Sequence, residues 1–102
     1  MDVTEAMGDH IRGRVDKLPR LDDQIRSVTV TLASDSGTEQ AEVVAKCHKN
    51  TLVANARSHD MYMSIDKAFE KLEKQVARLH DKLMDRRARE AQKASEHYRE
   101  PR

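Results

Sequence analysis

Residues 60–84 read DMYMSIDKAFEKLEKQVARLHDKLM, and the spacing of their apolar side chains decides the architecture. Tyr62, Ile65, Phe69, Leu72, Val76, Leu79 and Leu83 recur at alternating steps of three and four, which is one face of an α-helix. Asp60 stands where an N-cap carboxylate would accept from the first free backbone N–H groups. The seam stops after Met84. Residues 85–102 are highly charged, and Pro101 lies near their end. The helix is therefore expected to fray there, with 88–102 a charged tail that stays disordered without a partner. A helix with one long apolar stripe needs an apolar surface to lie on.

The preceding residues supply that surface as a sheet. Ile25 to Ala33 alternates Val28, Val30 and Leu32 with Thr29 and Thr31, a period of two rich in β-branched residues. Ser34 to Gly37 reads as a turn. Gln40 to His48 then places Ala41, Val43, Ala45 and Cys47 on one face. Lys49-Asn50 is expected to form the next hairpin turn, because Asn tolerates the left-handed conformation. Thr51 to Arg57 follows with Leu52, Ala54 and Ala56 inward. At the start of the chain, Val3 to Leu21 reads as a first helix capped by Thr4, with Met7, Ile11, Val15 and Leu18 on one face. Gly8 and Gly13 weaken it, and Pro19 should end or distort it. The expected class is α+β: an α-β-β-β-α order with an antiparallel sheet and both helices on one face.

The bulk numbers narrow the function. The chain has 102 residues, 37% of them hydrophobic and 3% aromatic, so one small aliphatic core is expected. A domain this small has little room for a deep substrate cleft, so neither an enzyme nor a small-molecule substrate is expected. One cysteine excludes an internal disulfide and fits a reducing, cytoplasmic setting. No apolar run approaches the roughly 20 residues of a membrane span. The five histidines are scattered. None joins Cys or carboxylate partners at metal-ligand spacing, so neither metal nor cofactor is expected. Cys47 alternates with apolar residues and reads as a core residue rather than a nucleophile. The glycines are isolated and form no phosphate loop.

The charges are more informative than their sum. Charged residues make up 36% of the chain, yet the net charge is only +1. On the last helix the two signs separate. At about 100° per residue, with the apolar seam centred near ~20°, Lys67, Lys71, Lys74, Arg78, Lys82 and Arg89 fall within roughly 200–280°. Asp66, Glu70, Glu73 and Asp81 fall within roughly 100–180°. The basic stripe is about 30 Å long, at ~1.5 Å per residue. Arg86 and Arg87 are expected to extend it, and the first helix adds Arg12, Arg14, Lys17 and Arg20. Rows of Lys and Arg at helical spacing suit a phosphate backbone, although an ordinary solvated face with pairs such as Glu70–Lys74 has the same composition. Tyr62 and Phe69 lie on the seam, where they pack rather than stack on bases. Recognition of folded RNA by shape and backbone is the expected mode.

The motifs carry a family resemblance. Val3-Thr4-Glu5-Ala6-Met7, with Arg14 and Lys17-Leu18 beyond, is similar to the opening helix of the ribosome hibernation promoting factor and ribosome-associated inhibitor family. Asp60-Met61-Tyr62-Met63-Ser64-Ile65-Asp66 resembles the family's DMYxAID motif, with Lys71-Leu72, Gln75 and Asp81-Lys82-Leu83 following at family spacing. The likeness runs from Val3 to about Arg87. It implies that residues 1–87 form a ribosome-binding domain. Such a domain would lie in the mRNA and tRNA channel of the small subunit, with basic helices against ribosomal RNA, and would inhibit translation. Arg14, Lys17, Lys71, Lys74, Arg78 and Lys82 match the family's basic positions. Arg12, Lys67, Arg86 and Arg87 come from the charge pattern alone.

Two departures accompany the likeness. The family begins with a strand before the first helix, and this sequence starts just inside the turn that ends it. Either the start was assigned late or the strand is missing, and loss would leave a three-stranded sheet with one more exposed edge. The sequence also resembles a short form, without the C-terminal dimerisation domain of long members. Two other readings compete. A general double-stranded-RNA-binding module shares the α-β-β-β-α order, but would carry its basic cluster where His59-Asp60-Met61-Tyr62 stands. A coiled-coil interaction protein built on the 62–83 seam would need no sheet.

Overall fold

The structure, a computed structural model, describes residues 3–97, and side-chain surroundings as far as Glu90. The order is α1 (Glu5–Val15), a 3-10 turn (Leu18–Arg20), β1 (Ile25–Asp35), β2 (Thr38–Cys47), β3 (Asn50–Ser58) and α2 (Met61–His97). The strands form one antiparallel sheet in the order β1-β2-β3. The α-β-β-β-α expectation therefore holds, and the coiled-coil alternative fails, because the seam of α2 is buried on its own sheet.

The core follows the sequence pattern. Ala41, Val43, Ala45 and Cys47 of β2 and Ala54 and Ala56 of β3 meet Ile65, Phe69, Leu72 and Val76 of α2. The small residues on the strands let α2 approach closely, so the large side chains come from the helix. Ser64 is also fully buried. Its hydroxyl donates to the Glu39 carbonyl at 2.7 Å and meets Ser58 Oγ at 2.6 Å, so its burial leaves no polar group unpaired. Asp60 caps α2 as expected, accepting from the Tyr62 N–H at 3.0 Å. Tyr62 itself is a correction. It stands at the margin of the seam, 36% exposed, with its ring edge-on to His10 at 5.3 Å between centroids.

Three boundaries differ from expectation. Helix α1 ends at Val15 rather than running to Leu21. The chain then tightens into the 3-10 turn, where Pro19 needs no N–H partner, and Leu18 enters the core at 1% exposure. The β1–β2 turn is only Ser36-Gly37, with φ of 49° and 83°, as a two-residue hairpin favours. In the β2–β3 hairpin the turn is His48-Lys49, and Asn50 pairs with Cys47. His48, not Asn50, takes the left-handed conformation, with φ 57°. Tertiary bonds explain this, since the His48 N–H donates to the Gln24 carbonyl at 3.1 Å and its ring reaches Asp22.

The tail also differs. Residues 88–97 continue α2 to His97 rather than forming an irregular segment. They are rich in Ala, Arg, Glu, Gln and Lys, all good helix formers, and an Asp85–Arg89 pair at 3.1 Å spans the stretch where the seam has ended. The rest of the expected tail, 98–102, lies outside the described residues.

The two edges of the sheet are unlike. On β3, Lys71 Nζ donates to the Asn55 carbonyl and Gln75 Nε2 to the Val53 carbonyl, each at 2.9 Å. On β1, the inward Val28, Val30 and Leu32 are only half-buried. A shallow groove of about 220 Å³ runs between Val15, Leu18 and Pro19 and the start of that strand.

Candidate nucleic-acid interface

Helix α2 carries the candidate surface, and its environment explains why the two signs of charge are sorted. The flank at roughly 100–120° on the helical wheel faces α1. Arg14 donates to Glu73 Oε2 at 3.0 Å and stands 3.8 Å from Asp66. His10 Nε2 meets the same Asp66 at 2.8 Å. The acidic stripe is thus in part the docking strip for the first helix. The opposite flank faces β3, where Lys71 and Gln75 cover strand carbonyls. What remains for solvent is the back of the helix.

The expected RNA-binding residues divide accordingly. Lys67, Lys74, Arg78 and Lys82 are exposed, and among the described residues they hold no ion pair. Lys71 is exposed too, but its ammonium is engaged by the Asn55 carbonyl. Arg14 is turned inward. Its side chain is only 19% exposed, its guanidinium lies 5.9 Å from the Phe69 ring centre, and its Nε is buried without a partner. Arg12 is exposed and paired to Asp9 one turn back, and Lys17 is exposed just beyond α1. Arg86 and Arg87 are exposed but do not prolong the stripe. They project at roughly 320° and 60°, on either side of the seam and beyond its end. Of the α1 cations, Arg14 is spent on the acidic flank of α2, at Glu73 and Asp66.

A second cluster was not legible in the sequence. Asp22, after the 3-10 turn, is buried with its side chain 1% exposed. Its Oδ1 accepts from the Gln24 N–H at 2.8 Å. Its Oδ2 meets His48 Nε2 at 2.7 Å and His80 Nδ1 at 3.0 Å. Burial pushes the Asp22 carboxyl up, but the Gln24 N–H and the two imidazoles outweigh it and hold the group below the usual carboxylate range. The neighbouring Cys47 thiol is buried, and desolvation followed by the Asp22 charge pushes it up. The only sequence signal was the adjacency of Cys47 and His48; Asp22 and His80 arrive from other elements.

Residues 1–84 match the family described as Sigma 54 modulation protein / S30EA ribosomal protein. The chain belongs to this family. Its relatives include the ribosome hibernation promoting factor of Azotobacter vinelandii, 31% identical over 86 residues, or 84% of this chain and 80% of that one. The ribosome-associated factor Y of Haemophilus influenzae is 35% identical over 95 residues, covering 93% and 89% of the two chains. Among solved structures, the N-terminal domain of Thermus thermophilus Protein Y superposes with a TM-score of 0.72 at 25% identity, over 78% of this chain and 88% of that one. A ribosomal subunit interface protein from Coxiella burnetii shares the fold, with a TM-score of 0.75 at 21% identity over 79% and 89% of the chains. In this member of the family, α1 is held to α2 by Arg14, and the exposed cations gather on the back of α2.

Proposed function

We propose that this protein is a ribosome-hibernation factor that binds the small ribosomal subunit in the mRNA and tRNA channel and inhibits translation. The reading rests on one observation above all: the family match spans the whole sheet and the α2 residues that expose Lys67, Lys74, Arg78 and Lys82. A rigid helix with cations one or two turns apart is suited to the phosphates of folded RNA. The domain works by occupancy and carries out no reaction of its own. No described helix is long and apolar enough to cross a membrane. A ribosome partner is consistent with a cytoplasmic location.

Sedimentation through sucrose gradients tests the partner. The protein is expected with small subunits and whole ribosomes, and equal association with isolated large subunits would refute the reading. Addition to a cell-free translation reaction tests the mode. Initiation should fall while ribosomal RNA stays intact, and cleaved RNA would reassign the protein to an enzyme class.

A further inference from the structure

Four side chains of metal-ligating type converge at one end of the sheet, from three separate parts of the fold. Asp22 comes from the loop after the 3-10 turn, Cys47 and His48 from the β2–β3 hairpin, and His80 from α2. The ligand atoms of Asp22, Cys47 and His48 lie within 4.8 Å of one another. His80 Nδ1 stands outside that group of three but meets Asp22 Oδ2, 3.0 Å away. We propose that this cluster is a binding site for one Zn²⁺ ion, with Asp22, Cys47, His48 and His80 as its four ligands.

The donor chemistry selects the ion. One sulfur, two imidazole nitrogens and one carboxylate oxygen suit a borderline cation, whereas Ca²⁺ and Mg²⁺ take oxygen sets. The geometry needs only small adjustment. Tetrahedral zinc with bonds of about 2.0–2.3 Å separates its ligand atoms by roughly 3.3–3.6 Å. The two imidazole nitrogens stand 2.7 and 3.0 Å from the carboxylate oxygen and must open slightly. Within the Asp22, Cys47 and His48 group the sulfur must close by about 1 Å at most. His80 lies outside that group and must swing further to join it, which its 39% exposed side chain permits.

The charge balance is equally favourable. A buried carboxylate and a thiolate together neutralise a dication, so the filled site carries no net charge in the core. Binding releases the Cys47 thiol proton and any proton on the coordinating nitrogens to solvent; nothing is oxidised or reduced. His48 is already fixed for the role. Its N–H is tied to the Gln24 carbonyl, and the His48 carbonyl accepts from Arg26 at 2.8 Å. The side chain of His80 is 39% exposed, which leaves a route for the ion. Four protein ligands would close the coordination sphere, the pattern of a structural rather than a catalytic zinc.

The test uses the full chain, stripped with chelator and titrated with Zn²⁺ alone, and with Co²⁺ as a spectroscopic reporter. One equivalent is expected to bind, with visible tetrahedral Co²⁺ bands and a thiolate charge-transfer band. Cys47→Ser should abolish the charge-transfer band, and His80→Ala should weaken Zn²⁺ affinity at least tenfold. His80 is half-exposed on α2, so that variant keeps its fold, as circular dichroism will verify. His59→Ala, an exposed histidine outside the cluster, should bind like the parent. Absence of stoichiometric binding, a charge-transfer band that survives in Cys47→Ser, or equal losses in His59→Ala and His80→Ala would each overturn the assignment.

Discussion

Arg14 of α1 and Glu73 of α2 form an ion pair at 3.0 Å, with the arginine side chain 19% and the glutamate 29% exposed. This pair, with Asp66 alongside, adds to the half-buried Met7, Ile11 and Val15 in attaching the first helix, which has no fully buried side chain of its own. Glu73→Gln is expected to cost about 1–2 kcal/mol, since it leaves a half-buried guanidinium with only the more distant Asp66 as its anion. Urea denaturation measures this. A loss indistinguishable from that of the exposed Glu70→Gln would show that the pair holds nothing.

The same geometry decides which charge reversals are informative. Reversing Lys67, Lys74, Arg78 and Lys82 to Glu should weaken ribosome binding with the fold retained. Each phosphate left without its cation should reduce the salt slope by about 0.7–0.9. Glu70→Lys is the clean control, and should leave binding unchanged or stronger. Reversal of Asp66 or Glu73 is no control at all, because it detaches α1. Equal weakening by the four-residue reversal and by Glu70→Lys, measured across a salt series, would move recognition to the sheet or the loops.

Asp22 gives the fold an acid-sensitive point. Its carboxyl is held below the ordinary range when folded, so its contribution to stability is complete above the unfolded value of about 3.9 and fades as pH falls through the folded value. Asp22→Asn should therefore lower Tm near pH 7, by the equivalent of about 1–3 kcal/mol for a buried hydrogen-bonded charge. The gap to the parent should shrink below about pH 4. Thermal melts with chelator present isolate this effect from metal binding. A gap that is constant down to about pH 2 would show that the charge is immaterial.

The two sides of the core predict unequal costs. Leu72→Ala, fully buried between α2 and the sheet, should cost about 2–5 kcal/mol. Leu32→Ala on β1 should cost less than half as much, because its side chain is only half covered. Equal losses in denaturant midpoints would mean that β1 is better enclosed than its exposure indicates.

The parts of the fold legible in the sequence were those governed by periodicity. Ile65, Phe69, Leu72 and Val76 announced α2, and the alternations at Val28–Leu32 and Ala41–Cys47 announced the strands. Boundaries set by tertiary bonds were not legible. Local preference placed a turn at Asn50, but contacts from Gln24 and Asp22 placed it at His48. Leu18 looked like the last rung of a helix and is instead a core residue reached by breaking it. At the candidate interface, helical spacing sorted the charges correctly, but it could not show that Arg14 would be engaged by Asp66 and Glu73, or that Lys71 would lie against β3. Of the Asp22, Cys47, His48 and His80 cluster only the Cys47-His48 adjacency is visible in the sequence, because three separate parts of the fold deliver it.

The unlike edges of the sheet set the stoichiometry of any edge-to-edge association. Growth of a sheet into a fibril requires two bonding sides per copy, so that each addition exposes a new template. Among the described residues, Lys71 and Gln75 cover two carbonyls on the β3 side, and the β1 side has no such cover. Two copies that met through their β1 sides would leave only the partly covered β3 sides facing outward. Such a pairing favours a closed dimer over a growing chain.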